Sequence, residues 1–150
     1  MELMEEIREY LEAHHVVTVA TCDDGGAWAT PLFYVSDDAL DLYFLSDPAT
    51  RHCQAIIKNP QVSAAIHGGS TTLTEITGLQ LHGWASALDH EREEEHALAL
   101  YVGKFPFVMP LIPSDGPHRL YRIRPQWFRL IDNSRGLGFK QEISWEAEIS

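Results

Sequence analysis

The strongest constraint in this sequence is a change of period. Residues Leu3, Met4, Ile7, Tyr10 and Leu11 recur at three- and four-residue spacing, with Glu and Arg on the other face, which predicts one amphipathic helix. From residue 16 the chain turns to short β-favouring runs separated by turns. Residues 16–20 (VVTVA) read as a strand. Asp23-Asp24-Gly25-Gly26 suits a tight hairpin turn, because Asp and Gly tolerate positive φ. Residues 28–35 read as the second strand, and Ser36-Asp37-Asp38 turns the chain again. Residues 40–46 read as the third strand, with Leu40, Leu42 and Phe44 on one face and Asp41 and Tyr43 on the other. A short helix over 51–58 follows, then strands over 61–67 and 77–89 and a helix from about Asp89. The segment 105–117 has four prolines and reads as irregular, and strands over 119–132 and 139–145 complete the chain. Six or seven strands joined mostly by short turns predict a mainly β (α+β) fold. The short connections suggest a closed, mainly antiparallel barrel with helices outside, in one domain over residues 1–150.

Charge narrows the partners. Lys and Arg total 11 against 22 Asp and Glu, a formal net charge of -11. Nucleic acid and anionic membrane surfaces both need a basic face, so neither is expected as a partner. Cys22 and Cys53 form no CxxC pair and read as reduced, buried thiols. The first ten residues, MELMEEIREY, lack the basic and apolar regions of a signal peptide, and no run is long enough to span a bilayer. The expected compartment is the cytoplasm.

The segment from 30 to 66 carries the chemistry. It reads strand, turn, strand, loop, helix, strand, and its loop holds Ser46, Asp47, Thr50, Arg51 and His52. Thr50 and Arg51 stand at a helix start, where free backbone N–H groups and the positive end of the dipole lie. Hydroxyls of Ser46 and Thr50 can donate, and a guanidinium can fork onto two phosphate oxygens, so the pattern suits a phosphate. Helix capping accounts for Thr50 equally well, and Arg51 reads equally as a surface charge.

The ordered run Leu45-Ser46-Asp47-Pro48-Ala49-Thr50-Arg51-His52, followed by Asn59-Pro60-Gln61-Val62, resembles the flavin mononucleotide (FMN) site of the pyridoxamine 5′-phosphate oxidase-like split barrels. The opening helix, HHVVTVAT, the Trp28 strand, TPLFYV and the closing DNSRGLGFK resemble the YhbP-like subgroup of bacterial proteins within that family. The resemblance implies that Ser46, Thr50, Arg51 and His52 hold the flavin phosphate. It implies that backbone groups of Thr30, Pro31, Leu32 and Phe33 lie along the flavin ring edge, with Leu45 packed near it. It further implies a homodimer with the cofactor between subunits. His52 stands where many members have Lys, and a neutral imidazole supplies a hydrogen bond and less charge. The Gly-rich tail 133–140 reads as a strand-to-strand turn, and Trp127 and Trp84 read as core packing.

Other chemistry finds less support. The eight histidines form no HExxH or HxH, so no metal site is expected. No nucleophilic triad is evident, and no catalytic acid or base is named. The Arg-rich C-terminal signature of true pyridoxamine-phosphate oxidases is missing, and Arg119-Leu120-Tyr121-Arg122-Ile123-Arg124 reads as strand. Two functions follow from the resemblance. One is an FMN-dependent oxidoreductase acting on a small molecule other than pyridoxamine phosphate. The other is a binding module of the same fold for flavin, haem or another ligand, without turnover.

Overall fold

The computed structural model describes residues 2–113 and 115–144. Helix α1 (Leu3–Ala13) leads into β1 (Val16–Asp23), which pairs with β2 (Gly26–Phe33) in register from Val16 opposite Phe33 to Asp23 opposite Gly26. Gly26 takes the turn at φ 103°, a conformation that costs glycine no Cβ clash. Past Tyr34 the same segment continues as β3 (Val35–Ser36), which pairs with β4 (Leu42–Ser46) instead. Helix α2 (Arg51–Lys58), β5 (Gln61–His67), β6 (Thr77–Ala87), α3 (Glu91–Lys104), β7 (Arg119–Asp132) and β8 (Lys140–Ser144) follow. All strand pairings are antiparallel, in the order β2-β1-β5-β6-β7-β4-β3 with β8 beside β7. Because β2 and β3 are one continuous segment, the path ends on the segment where it began, and the sheet curls into a split barrel. Counting that segment once gives seven strands among the described residues, within the six or seven that the sequence predicts.

Strand β7 organises the split. It pairs with β6 along its length, while on its other edge β4 takes residues 119–123 and β8 takes 127–131. The register against β6 shifts between His82 and Gly83, where Gly83 faces Pro125 and His82 faces Trp127, leaving Gln126 as the extra residue of a bulge. A Cβ at Gly83 would lie 2.2 Å from the Arg124 carbonyl oxygen and 2.7 Å from the Pro125 Cα. Only glycine fits that approach.

Apolar burial is divided by β4. Leu42 and Phe44 face the barrel interior with Ile7, Leu11, Val19, Tyr34 and Phe128. Tyr43 faces the opposite way, into a second cluster under α3 with Val35, Leu88, Ala97, Tyr101, Phe105 and Leu120. A strand buried on both faces needs apolar residues at every position, which explains the continuous run LYFL. The amine of Lys104, at the end of α3, donates to the carbonyls of Leu11 (3.1 Å) and His14 and lies 4.1 Å from the Tyr34 ring centre. It thereby satisfies the C-terminal end of α1, and burial lowers its ammonium to about 8.

Several boundaries differ from the sequence reading. The third strand begins at Leu42, not Leu40. The Asp37 carboxylate accepts from the amides of Ala39 (3.0 Å) and Asp41 (3.1 Å), and this turn carries the buried Leu40 through φ 68°. The predicted single strand over 28–35 is two pairings on one segment. Helix α3 keeps to its predicted start near Asp89: it begins after His90, whose Nδ1 accepts from the Arg92 amide at 3.3 Å. The tail 133–140 is a turn between β7 and β8, with Gly136 and Gly138 at positive φ, and Trp145 of the last predicted strand lies outside the described residues. Trp127 is not a core residue; it is half-buried and stacks on His82, ring centres 5.2 Å apart. Cys53 is buried as expected, whereas Cys22 is exposed. Among the described residues no helix is long and apolar enough to cross a membrane.

Replacing Gly83 by alanine is expected to destabilise the fold by about 1–3 kcal/mol, because the bulge must move to admit the methyl group. A urea midpoint equal to wild type would contradict this.

Candidate functional site

The loop after β4 builds the site. Asp47 Oδ1 accepts from the Ala49 amide (2.9 Å), and the Asp47 carbonyl accepts from the Thr50 amide (3.0 Å) and from the Thr50 hydroxyl (2.8 Å). This tight turn delivers the chain into α2. Thr50 is the N-cap residue by position, yet its hydroxyl bonds back to Asp47 and does not cap the helix. Capping therefore does not account for Thr50, and among the described residues no side chain accepts from the first-turn amides of α2.

Ser46 and His52 are both buried, with Ser46 Oγ 2.7 Å from His52 Nε2. Thr50 Oγ1 lies 3.4 Å from the same nitrogen. Which of Ser46 and His52 donates at their contact follows the imidazole tautomer. Arg51 reaches across to the β1–β2 hairpin. Its guanidinium lies 4.2 Å from the Trp28 ring centre and donates to the Gly25 carbonyl (3.2 Å). Among the described residues the Gly25 carbonyl is the one acceptor of this guanidinium, which leaves most of its donors for a ligand.

Next to this turn stands β2. Among the described residues it pairs with β1 alone, so its other backbone edge is open. Thr30 is opposite Val19 and therefore faces the barrel side of the sheet. Its hydroxyl is buried and has no hydrogen-bond partner among the described residues. Phe33 and Leu45, at the two lips of the gap between β2 and β4, both bond to the Tyr101 hydroxyl: the Leu45 amide donates to it (3.1 Å) and it donates to the Phe33 carbonyl (2.8 Å).

Thus Ser46, Thr50, Arg51 and His52 gather at the start of α2, while Thr30, Pro31, Leu32 and Phe33 form the open edge that the hairpin turn joins to Arg51. Leu45 is only half-buried and packs against the cluster under α3. Sequence reasoning missed Trp28, Tyr101 and a buried polar group behind the turn, Cys53 with Tyr121. Burial pushes the Cys53 thiol up, but hydrogen bonds with His52, Thr50, Tyr121 and Ser46 outweigh it and bring it from 9.0 down to about 7. Among the described residues no group of three or more His, Cys, Asp or Glu side chains could hold a metal ion.

The class is therefore a split antiparallel barrel whose open strand edge lies beside an uncapped helix start. A family model described as pyridoxamine 5′-phosphate oxidase matches residues 3–132. The chain belongs to that family. The protein YhbP of Salmonella arizonae is 30% identical over 100% of this chain and 97% of its own length. Among solved structures, a haem-binding protein from Mycobacterium smegmatis superposes with a TM-score of 0.81 at 19% identity, over 96% of this chain and 58% of that one. HutZ, a haem storage protein from Vibrio cholerae, superposes with a TM-score of 0.71 at 21% identity, over 83% of this chain and 91% of that one. At those identities the two structures establish the fold only.

A folded thiol pKa below its unfolded value means the unfolded chain binds more protons between the two. Stability is then gained as pH rises from about 7 to the ordinary 9.0 and lost as it falls through about 7. Urea midpoints of wild type and Cys53→Ala across that window check this: the gap between them should widen as pH rises, and a constant gap would contradict it.

Proposed function

We propose that this chain binds flavin mononucleotide and, as a homodimer with the cofactor between subunits, acts as an oxidoreductase on a small molecule. The observation that carries the reading is the uncapped start of α2, ringed by Ser46, Thr50, Arg51 and His52, with the open edge of β2 beside it. A phosphate at that point receives first-turn amides and guanidinium donors, with the Ser46 and Thr50 hydroxyls beside it. These local donors act at contact distance, where they outweigh the screened repulsion of a chain with net charge -11. The unpartnered Thr30 hydroxyl is the kind of buried group a bound ligand satisfies. Pro31 supplies no N–H, so the ring edge meets carbonyls and the remaining amides of β2.

Bound flavin supplies hydride or electron transfer, and the protein supplies grip, orientation and a dry pocket. The arginines of β7 are engaged within the fold: Arg119 donates to the Leu88 carbonyl (3.1 Å), Arg122 faces Glu93 (3.4 Å) and Arg124 faces Asp41 (3.6 Å). That disfavours a second phosphate-bearing molecule such as pyridoxamine phosphate as substrate. The outer face of the β1–β2 hairpin leaves Val16 and Phe33 half in solvent, opposite each other in register, and this apolar strip supports a second copy packed there. The haem-binding names of the two structural neighbours favour a second reading, a porphyrin-binding module on the same barrel.

Titration with FMN, followed by visible absorption, tests the proposal. Saturable binding is expected, weakened roughly tenfold or more in Arg51→Ala through loss of a charge-assisted donor. A wild-type chain indifferent to flavin but giving an intense haem band on addition of haemin would replace the first reading with the second. Sedimentation of the FMN-saturated protein should give the mass of two chains, and the mass of one would remove the dimer from the proposal.

A further inference from the structure

Strands β3 and β4 pair at Ser36 opposite Leu42 and at Val35 opposite Tyr43. Continued in the same register, that ladder would bring Phe33 opposite Leu45. It does not continue. The hydroxyl of Tyr101, from α3, stands between them, accepting from the Leu45 amide (3.1 Å) and donating to the Phe33 carbonyl (2.8 Å). These are the two backbone groups that the next rung would have joined directly.

We propose that Tyr101 is the wedge that opens the cofactor slot, a positioning residue that holds β2 and β4 apart where they fork. The inference rests on the flavin reading of the slot and adds what keeps it open. Three observations support it. Tyr101 is 2% exposed, and its ring is fixed in the cluster under α3, near Phe105 with ring centres 5.8 Å apart. Its oxygen satisfies one donor and one acceptor that would otherwise be left without partners or would close on each other. Both groups belong to residues expected at the flavin, Phe33 at the ring edge and Leu45 beside it. Burial raises the Tyr101 phenol far above its ordinary value, so the hydroxyl keeps its hydrogen through the working pH range.

The test is Tyr101→Phe, which keeps the ring and removes the oxygen. Without the wedge the next rung can form, narrowing the slot. FMN and riboflavin, which lacks the phosphate, should then both bind about tenfold more weakly and by the same factor, because the loss is at the ring. Arg51→Ala in the same titrations should weaken FMN and leave riboflavin unchanged. Riboflavin binding to Tyr101→Phe at wild-type strength would overturn the proposal. A second measurement needs no flavin. Nuclear magnetic resonance should find no through-hydrogen-bond coupling between the Leu45 amide nitrogen and the Phe33 carbonyl carbon in the wild type, and a coupling in Tyr101→Phe. That coupling already present in the wild type would overturn the wedge. A chain that binds neither flavin yet gains the coupling on substitution would leave the wedge standing and remove the cofactor reading alone.

Discussion

The close approach of Gly83 to the Arg124 carbonyl is the constraint on which the architecture depends. A methyl group cannot enter that space, so β6 and β7 meet there backbone to backbone and the extra residue, Gln126, bulges out. Strand β7 is redirected at this point. Its first half borders β4 and its second half borders β8, so one strand serves two neighbours on the same edge.

Helix α3 completes what the bulge begins. At one position it places a phenol between two strands, and one turn later it places an amine on the carbonyls that end α1. Both side chains take their partners from backbone groups that the fork and the helix end leave unsatisfied. The two sheet faces of β4 thus belong to two cores: Leu42 and Phe44 to the barrel interior, and Tyr43 to the cluster under α3 with Tyr101 and Phe105. The candidate site opens at the seam between them, where an apolar body and a polar edge can both be received.

Much of this was legible in the sequence because it rests on local patterns. Alternating residues marked the strands, and Asp-Gly and Asp-Pro marked the turns. The run Ser46 to His52 marked the start of α2. Features that depend on contacts far along the chain left no such mark. Leu40 alternates perfectly with Leu42 and Phe44, and only the reach of Asp37 back to two amides removes it from the strand. Thr50 has the chemistry of a helix cap, and the turn through Asp47 claims its hydroxyl first. Trp28 reads as one more strand residue until α2 brings Arg51 over it from 23 positions away. Tyr101 lies four residues after Ala97 on the buried face of a helix, a spacing that announces packing and conceals its hydroxyl. Trp127 alternates as a core residue would, but its side of β7 lies outside, against His82.

The open edge of β2 has a consequence for solubility. An exposed strand with free donors and acceptors is a template on which other chains can build a sheet, and folded proteins guard against this. Here the guard is Pro31, in the middle of the strand. A proline has no hydrogen to give, so a visiting strand meets a break in the ladder halfway along. A small planar molecule needs only a few contacts at one end and loses nothing to that break. The same residue can therefore turn away polymerising neighbours while leaving the edge hospitable to a compact guest.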